Sequence, residues 1–443
     1  MKTYDAIIIG FGKGGKTLAV DLAKRGQTVA MIEKSDKMYG GTCINVGCIP
    51  SKSLIIQAGQ HDYSQAVKNK EALVTKLRQK NFDKLNQLDN ITIYTATATF
   101  KNNHEVHIQS EEIEETIYGE HIFINTGATP VIPQIEGILN TRHIYTSAEM
   151  MSLEKLPKRL AIIGGGYIGL EFSSMYARYH SEVTVFEFGS RLVQREDEDV
   201  AQEILHVLEN QGVNFHFNAS VTRVENLDET VRITYQDQQG NQKEEIVDAV
   251  LLATGRKANT NNLGLENTNI QLDSRGNIIV NEHLQTTEDH IYAMGDVKGG
   301  LQFTYISLDD YRIVKDHLFG EGKRTTSNRG NVAYSVFISP TFSRVGLSQQ
   351  EAINAGYDIK VAQLPAAAIP RANVISQPNG LLKAIIDTNS DKILGCVLFC
   401  AESEEMINFI ALAMDLGLPY QKVRDHIFTH PTMSEALNDL FTI

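Results

Sequence analysis

Two segments of the chain carry the same punctuation, and it restricts the fold more than any other feature. The first reads "DAIIIGFGKGGKTLAVDLAKRGQTVAMIE" and ends at Glu33. The second reads "RLAIIGGGYIGLEFSSMYARYHSEVTVFE" and ends at Glu187. In each, an apolar run predicts a strand, a G-x-G-x-x-G turn follows, helical spacing of apolar residues comes next, and a second strand closes on a glutamate. The turn glycines are Gly10, Gly12 and Gly15, then Gly164, Gly166 and Gly169. Such glycines make the tight turn, let a pyrophosphate approach the backbone, and let helix pack on strand. The helix start then offers its positive dipole end to the phosphates. Glu33 and Glu187 each lie 23 residues after the first glycine, where an acid accepts hydrogen bonds from ribose hydroxyls. The chain therefore contains two dinucleotide-binding units. Neither segment alone says which would hold a flavin and which a nicotinamide.

Other stretches fit an α/β chain. "HIFINTGATP" and "AVLLATGRKAN" are strands running into Thr-Gly turns, at Thr126–Gly127 and Thr254–Gly255, where the chain can cross between units. "HIYAMGDV" predicts a strand with Asp296 at its C-terminal end, the ligand-binding end in parallel sheets; a structural turn residue is the alternative. "EEIEET" and "TYQDQQGNQKEE" predict hairpin tips on accessory sheets. At 443 residues the chain suffices for two to four domains. Its net charge of −13 argues against nucleic acid or an anionic membrane as the main partner. No apolar run is long enough to span a bilayer, and "YDAIIIG" near Met1 reads as a strand rather than a leader, so the expected location is the cytoplasm.

Only four cysteines occur, and two stand together in "GGTCINVGCIPSK". In a reducing compartment such a pair points to catalysis or metal binding rather than to a staple. A regular helix would hold Cys43 and Cys48 too far apart to be bridged, so a loop or distorted turn is expected, with Gly47 supplying the unusual backbone. Pro50 suits the first turn of a helix continuing through "SKSLIIQAG". Cys48 then falls just before a helix start, with Lys52 nearby, and both favour a thiolate there. Two cysteines with no histidine close by are too few ligands for zinc. Cys396 and Cys400, in "KILGCVLFC", read as buried inert thiols, with a soft metal such as copper(I) as the alternative. Lys13 can pair with a pyrophosphate or simply face solvent.

These motifs, with "ATGR", "YAMGD" and the C-terminal "HPTMSE", resemble the class I flavoprotein disulfide reductases over nearly the whole chain. The resemblance implies an α/β fold of two Rossmann-like dinucleotide-binding domains and a C-terminal α+β dimerisation domain. The expected division is 1–148 and 257–333 for FAD, 149–256 for NAD(P)H, and 334–443 for the interface of a homodimer. FAD would contact Gly10, Gly12, Gly15, Glu33, Gly41, Thr42, Thr126, Gly127 and Asp296. NAD(P)H would contact Gly164, Gly166, Tyr167, Gly169, Glu187 and Gly255. Glu187 favours NADH, whose 2′-hydroxyl it would accept, while Arg191 leaves NADPH possible. Cys48 is implied as the flavin-proximal thiol and Cys43 as the one that attacks substrate. Lys52 would sit near the flavin and pair with Glu171, and Tyr167 would cover the nicotinamide pocket. His430, oriented by Glu435, would be the acid–base group across the subunit interface.

Within that family, "GFGKGGKTLA", "MYGGTCIN", "GDVKGGLQFTYISLDDYRIV" and "FTHPTMSE" resemble the bacterial reactive-chlorine-resistance flavoproteins. This implies a small thiol-reactive oxidant as substrate, hypothiocyanous acid above all. Copper(II), mercury(II) and dihydrolipoyl substrates are the alternatives, and "AAAIPRANVISQPNGLLK" does resemble mercuric reductases. The chain lacks their C-terminal cysteine pair, and Thr429 precedes His430 where dihydrolipoyl dehydrogenases usually carry a second histidine nearby. A non-catalytic redox sensor on the same fold is a further alternative.

Overall fold

The computed structural model describes residues 1–443. Its first sheet is built on the parallel order Ile91–Thr95, Val29–Glu33, Lys2–Ile9, Glu114–Ile124, with Ile291–Ala293 also pairing Glu114–Ile124. Two antiparallel strands, Glu105–Gln109 and Thr97–Phe100, extend it. The apolar run at the N-terminus is buried on both faces, the normal state of a parallel strand covered by helices. Its side chains alternate between two cores: Ile7 and Ile9 enter one, Ala6 and Ile8 the other.

The second parallel sheet repeats this design. It runs Val213–His216, Glu182–Phe186, Arg159–Ile163, Ala249–Leu252, Ile144–Thr146. Leu160 and Ile162 enter one core while Ala161 and Ile163 enter another. The charged "TYQDQQGNQKEE" segment forms the hairpin of an antiparallel sheet, Ser220–Leu227, Thr230–Gln236, Gln242–Val247. A two-stranded antiparallel ribbon, Ala128–Pro130 with Arg256–Ala258, carries the chain out of the first unit and back.

The C-terminal sheet is antiparallel, in the order Tyr334–Val336, Phe342–Gly346, Ile393–Phe399, Leu381–Asp387, Ile359–Pro365. The helix Ser403–Asp415 packs on it through Met406, Ile407 and Ile410. The same helix leaves Phe409, Leu412 and Leu416 exposed, and Ile427 is 93% exposed. One core cluster joins all three units: Leu54 and Tyr63 from the first, Tyr176 and Val183 from the second, Val336 and Phe399 from the third. Truncating a residue of such a core costs about 2–5 kcal/mol, so the junction is held firmly.

Candidate active site

The "GGTCINVGCIPSK" segment is two short helices rather than a loop. Thr42–Asn45 makes one turn, the backbone breaks at Val46 and Gly47, and Cys48–Gln57 begins a new helix with Cys48 as its first residue. A side chain at Gly47 would meet the Thr42 carbonyl oxygen at 2.9 Å, so glycine is required at the break. The break redirects the chain and sets the two cysteine side chains near one another. Cys43 is half-buried and Cys48 exposed.

The two thiols influence each other's titration. The hydrogen bond from Cys48 draws Cys43 down to about 6, helped by Thr304 and by the charges of Lys16 and Lys52. The Cys48 thiol is pushed up chiefly by its contact with Cys43. Sequence reasoning favoured the thiolate at Cys48, at the helix start. The lowering of Cys43 and the raising of Cys48 go together, because charge on one sulfur disfavours charge on its neighbour. Thr304 Oγ1 lies 3.9 Å from Cys48 Sγ, at the first position of the helix Thr304–Phe319.

One turn further along, Lys52 Nζ donates to both oxygens of Glu171, at 2.8 and 2.6 Å. Glu171 Oε1 also accepts the Phe337 backbone N–H at 2.9 Å. The ammonium stands 4.7 Å from the Phe337 ring centre. Lys16, buried beneath the preceding segment, donates to the Gly40 carbonyl at 3.2 Å and to Asn81 at 2.6 Å; burial lowers it to about 8.

The first glycine turn has room for backbone and ligand only. Gly10 has φ +103°, and a Cβ there would lie 2.4 Å from the Asn125 carbonyl oxygen. A Cβ on Gly12 would meet Asn125 Oδ1 at 2.5 Å, and one on Gly41 would meet the Gly12 Cα at 2.7 Å. A Cβ on Gly15 would meet the Gly10 carbonyl oxygen at 2.7 Å. The helix Lys13–Lys24 starts with no side-chain cap and no acid in its first turn, which suits a phosphate. Glu33 Oε2 accepts the Phe11 N–H at 3.1 Å, and burial raises its carboxyl. Thr126 donates to the Asn259 carbonyl at 2.8 Å, bracing the crossover beside Gly127. These residues fit a dinucleotide.

Asp296 does not end a strand. The strand stops at Ala293, and Asp296 sits in a short 3₁₀ turn, Gly295–Lys298. The Gly295 N–H donates to Asp310 at 2.7 Å, and Asp310 is fully buried against Arg329 and Lys298. Burial raises Asp296, opposed by the Arg256 charge.

The second turn matches the first. Gly164 has φ +105° and would clash with the Ala253 carbonyl at 2.6 Å if it carried a Cβ, while the space beside Gly166 is open. Gly169 packs against the Gly164 carbonyl, and the helix Tyr167–Arg178 is again uncapped. Both Glu187 oxygens are held by backbone N–H groups, of Gly165 and Gly189, each at 2.7 Å. Arg191 donates to the carbonyls of Glu196 and Gln194 at 3.0 and 2.9 Å. Gly255, with φ +101°, turns the chain back along the ribbon.

His430 is 69% exposed, and its Nδ1 hydrogen-bonds Glu435 Oε2 at 2.7 Å. No hydrogen bond within the chain joins this dyad to either thiol. Cys396 and Cys400 are fully buried, and burial raises both thiols.

Several residues escaped sequence reasoning. Asn125 accepts the Gly15 N–H at 2.9 Å and donates to Met294 at 2.7 Å. Ser307 accepts the Gly14 N–H at 3.1 Å. Asn125 had a signal, its place directly before the Thr-Gly turn; Ser307 had none.

A family model described as pyridine nucleotide-disulphide oxidoreductase matches residues 4–310. The dimerisation-domain model of the same family matches residues 332–441. The probable pyridine nucleotide-disulfide oxidoreductase RclA of Escherichia coli (strain K12) is 51% identical over 444 residues, covering 100% of both chains. A mercuric reductase of Staphylococcus aureus is 31% identical, covering 98% of this chain and 81% of its own. The solved Cu(II) complex of the HOCl-induced flavoprotein disulfide reductase RclA from Escherichia coli superposes with a TM-score of 0.97 at 51% identity, covering 100% of this chain and 99% of that one. With its paired glycine turns, its cysteine pair and these matches along its length, the chain belongs to the pyridine nucleotide-disulphide oxidoreductases, the flavin-dependent enzymes that use NAD(P)H.

Proposed function

We propose that the protein uses NADH to reduce a small thiol-reactive oxidant, hypothiocyanous acid above all, in defence against oxidative stress. The observation that carries this reading is the pair Cys43 and Cys48, set side by side where one short helix breaks and the next begins, with Thr304, Lys16 and Lys52 around them to favour a thiolate at Cys43. Residues 1–148 and 257–333 would hold FAD, and 149–256 the nicotinamide cofactor. Residues 334–443 would join two copies, covering Phe409, Leu412, Leu416 and Ile427. When bound, FAD supplies the two-electron relay between nicotinamide and thiols.

The remaining chemistry belongs to the chain. The Cys43 thiolate attacks the electrophilic sulfur of hypothiocyanous acid; an S–S bond forms and the S–OH bond breaks. Hydroxide leaves as water with a proton from His430 of the second copy, an imidazole held by Glu435. The Cys48 thiol returns that proton and attacks Cys43 Sγ, releasing thiocyanate and forming the disulfide. Two thiol electrons reduce one oxidant, and the charge balances. Lys52 and Glu171 fix the helix that carries Cys48. Tyr167 covers the nicotinamide pocket.

A second reading is copper(II) reduction, favoured by the Cu(II) complex of the 51% identical enzyme. Anaerobic stopped-flow mixing of the two-electron-reduced enzyme with hypothiocyanous acid tests the first. Fast reoxidation that is lost in Cys43→Ser is expected. Reoxidation no faster than with glutathione disulfide, or unchanged in Cys43→Ser, overturns it.

A further inference from the structure

The hydroxyl of Tyr167 takes part in a chain of hydrogen bonds that leaves its own unit. It donates to Tyr334 Oη at 3.0 Å and, more weakly, towards Glu196 Oε1 at 3.3 Å. Tyr334 donates in turn to the same Glu196 oxygen at 2.5 Å. The other oxygen, Oε2, accepts Arg344 Nη1 at 3.1 Å. Arg344 also pairs with Glu351 and donates to the Arg195 and Gly346 carbonyls, at 3.0 and 3.2 Å. Glu196 and Arg344 are buried, 2% and 5% exposed. The two tyrosine rings lie 5.5 Å apart, and the Phe303 ring stacks on Tyr334 at 6.1 Å.

This cluster has a division of labour. Tyr167 starts the helix beside the second glycine turn, and Glu196 lies in the same unit. Tyr334 and Arg344 stand on neighbouring antiparallel strands of the C-terminal sheet, paired with each other. A buried, fully paired ion pair is rigid because moving either partner strands the other's charge. Tyr334 is thereby fixed as an acceptor for one mobile hydroxyl, that of Tyr167.

We infer that Tyr334, anchored by Glu196 and Arg344, is a latch that holds Tyr167 over the nicotinamide pocket, so that the C-terminal sheet opposes entry of the cofactor. The inference rests on the reading of Tyr167 as a cover. Swinging Tyr167 aside breaks its bonds to Tyr334 and Glu196, and that cost is subtracted from the binding of the nicotinamide. Tyr334 is a positioning residue here; it acts through Tyr167.

The test deletes hydroxyls rather than the buried ion pair, so the core is kept. In the FAD-loaded enzyme, NAD⁺ binding is measured by calorimetry and flavin reduction by NADH in anaerobic stopped flow. Tyr167→Phe is expected to tighten NAD⁺ roughly 2–10-fold, the worth of one neutral hydrogen bond, and Tyr334→Phe to move it the same way. The double variant should fall short of the product of the two effects, because both remove one shared contact. Mere structural damage would weaken binding instead. If Tyr167→Phe tightens NAD⁺ while Tyr334→Phe leaves it unchanged or weaker, or if the two effects multiply, the latch is wrong. If even Tyr167→Ala changes neither binding nor the rate of flavin reduction, Tyr167 is no cover, and the reading beneath the latch falls with it.

Discussion

Lys52 and Glu171 are 119 residues apart in sequence, yet the ammonium donates to both carboxylate oxygens. The pair joins the helix that begins with Cys48 to the helix that follows the second glycine turn. Through the Phe337 N–H it reaches the C-terminal sheet as well. Removing one partner of a largely buried pair leaves the other charge uncompensated, at a cost of about 3–5 kcal/mol. Glu171→Ala should therefore lower the melting temperature clearly in thermal denaturation. Glu171→Gln, which still accepts a hydrogen bond, should lower it less. Equal melting temperatures for wild type and Glu171→Ala would show that the pair does not hold the units together.

Alkylation of the reduced enzyme should report which thiol carries the charge. Cys43 titrates near 6, so its reaction with iodoacetamide should rise with pH through that value and level off above it. Cys48→Ala removes the hydrogen bond that does most to lower Cys43, and the midpoint should move up. Peptide mapping by mass spectrometry identifies the alkylated residue. Preferential labelling of Cys48 near neutral pH would reverse the assignment.

Cofactor choice follows from Glu187 and Arg191. Both carboxylate oxygens are oriented by backbone N–H groups, and the Arg191 guanidinium is engaged by carbonyls of its own loop. A 2′-phosphate would meet a fixed negative charge. The value of kcat/KM should favour NADH by at least about tenfold, or about 1.4 kcal/mol. Glu187→Ala should narrow the gap, and a wild-type preference for NADPH would refute the assignment.

His430→Ala should separate the two half-reactions. Oxidant reduction should slow by about 10²–10⁴, the usual worth of general acid–base help. Flavin reduction by NADH should stay near wild type, since no hydrogen bond within the chain joins the dyad to either glycine turn. Comparable losses in both half-reactions, read by stopped flow, would count against an acid–base role.

Gly12→Ala tests the first turn directly. The new methyl would meet Asn125 Oδ1 at 2.5 Å, the atom that holds the Gly15 N–H. The protein should purify with little flavin, read as the ratio of 450 to 280 nm absorbance. Full flavin content would show that the turn relaxes.

The glycine turns were legible because their chemistry is backbone chemistry, and a tight turn admits few residue types. The apolar strands were legible because both of their faces are covered. Asp296 follows the C-terminal end of its strand, in a 3₁₀ turn, because the apolar run ends at Met294, whose N–H still donates to the Ile124 carbonyl. A helix start can be read from sequence, while a contact between two side chains across a broken helix cannot, so the mutual influence of Cys43 and Cys48 was not legible. Ser307, Tyr334 and Arg344 stayed invisible for a related reason. Each meets its partner from a distant segment, and nothing local marks it.

The ribbon of Ala128–Pro130 and Arg256–Ala258 has a consequence for how the chain is made. Val131 N–H donates to the Gly255 carbonyl at 3.0 Å, so everything between them leaves and returns through one narrow neck. The first sheet cannot be finished until Ile291–Ala293 arrives to pair with Glu114–Ile124. On a ribosome, the whole intervening unit emerges before that strand does. Its ends are close in space, so it can close on itself once Ala249–Leu252 has emerged to pair with Arg159–Ile163 and Ile144–Thr146. The neck then sets Arg256–Ala258 beside Ala128–Pro130, and the late strand begins its search a short tether from its slot instead of at the end of a long open loop.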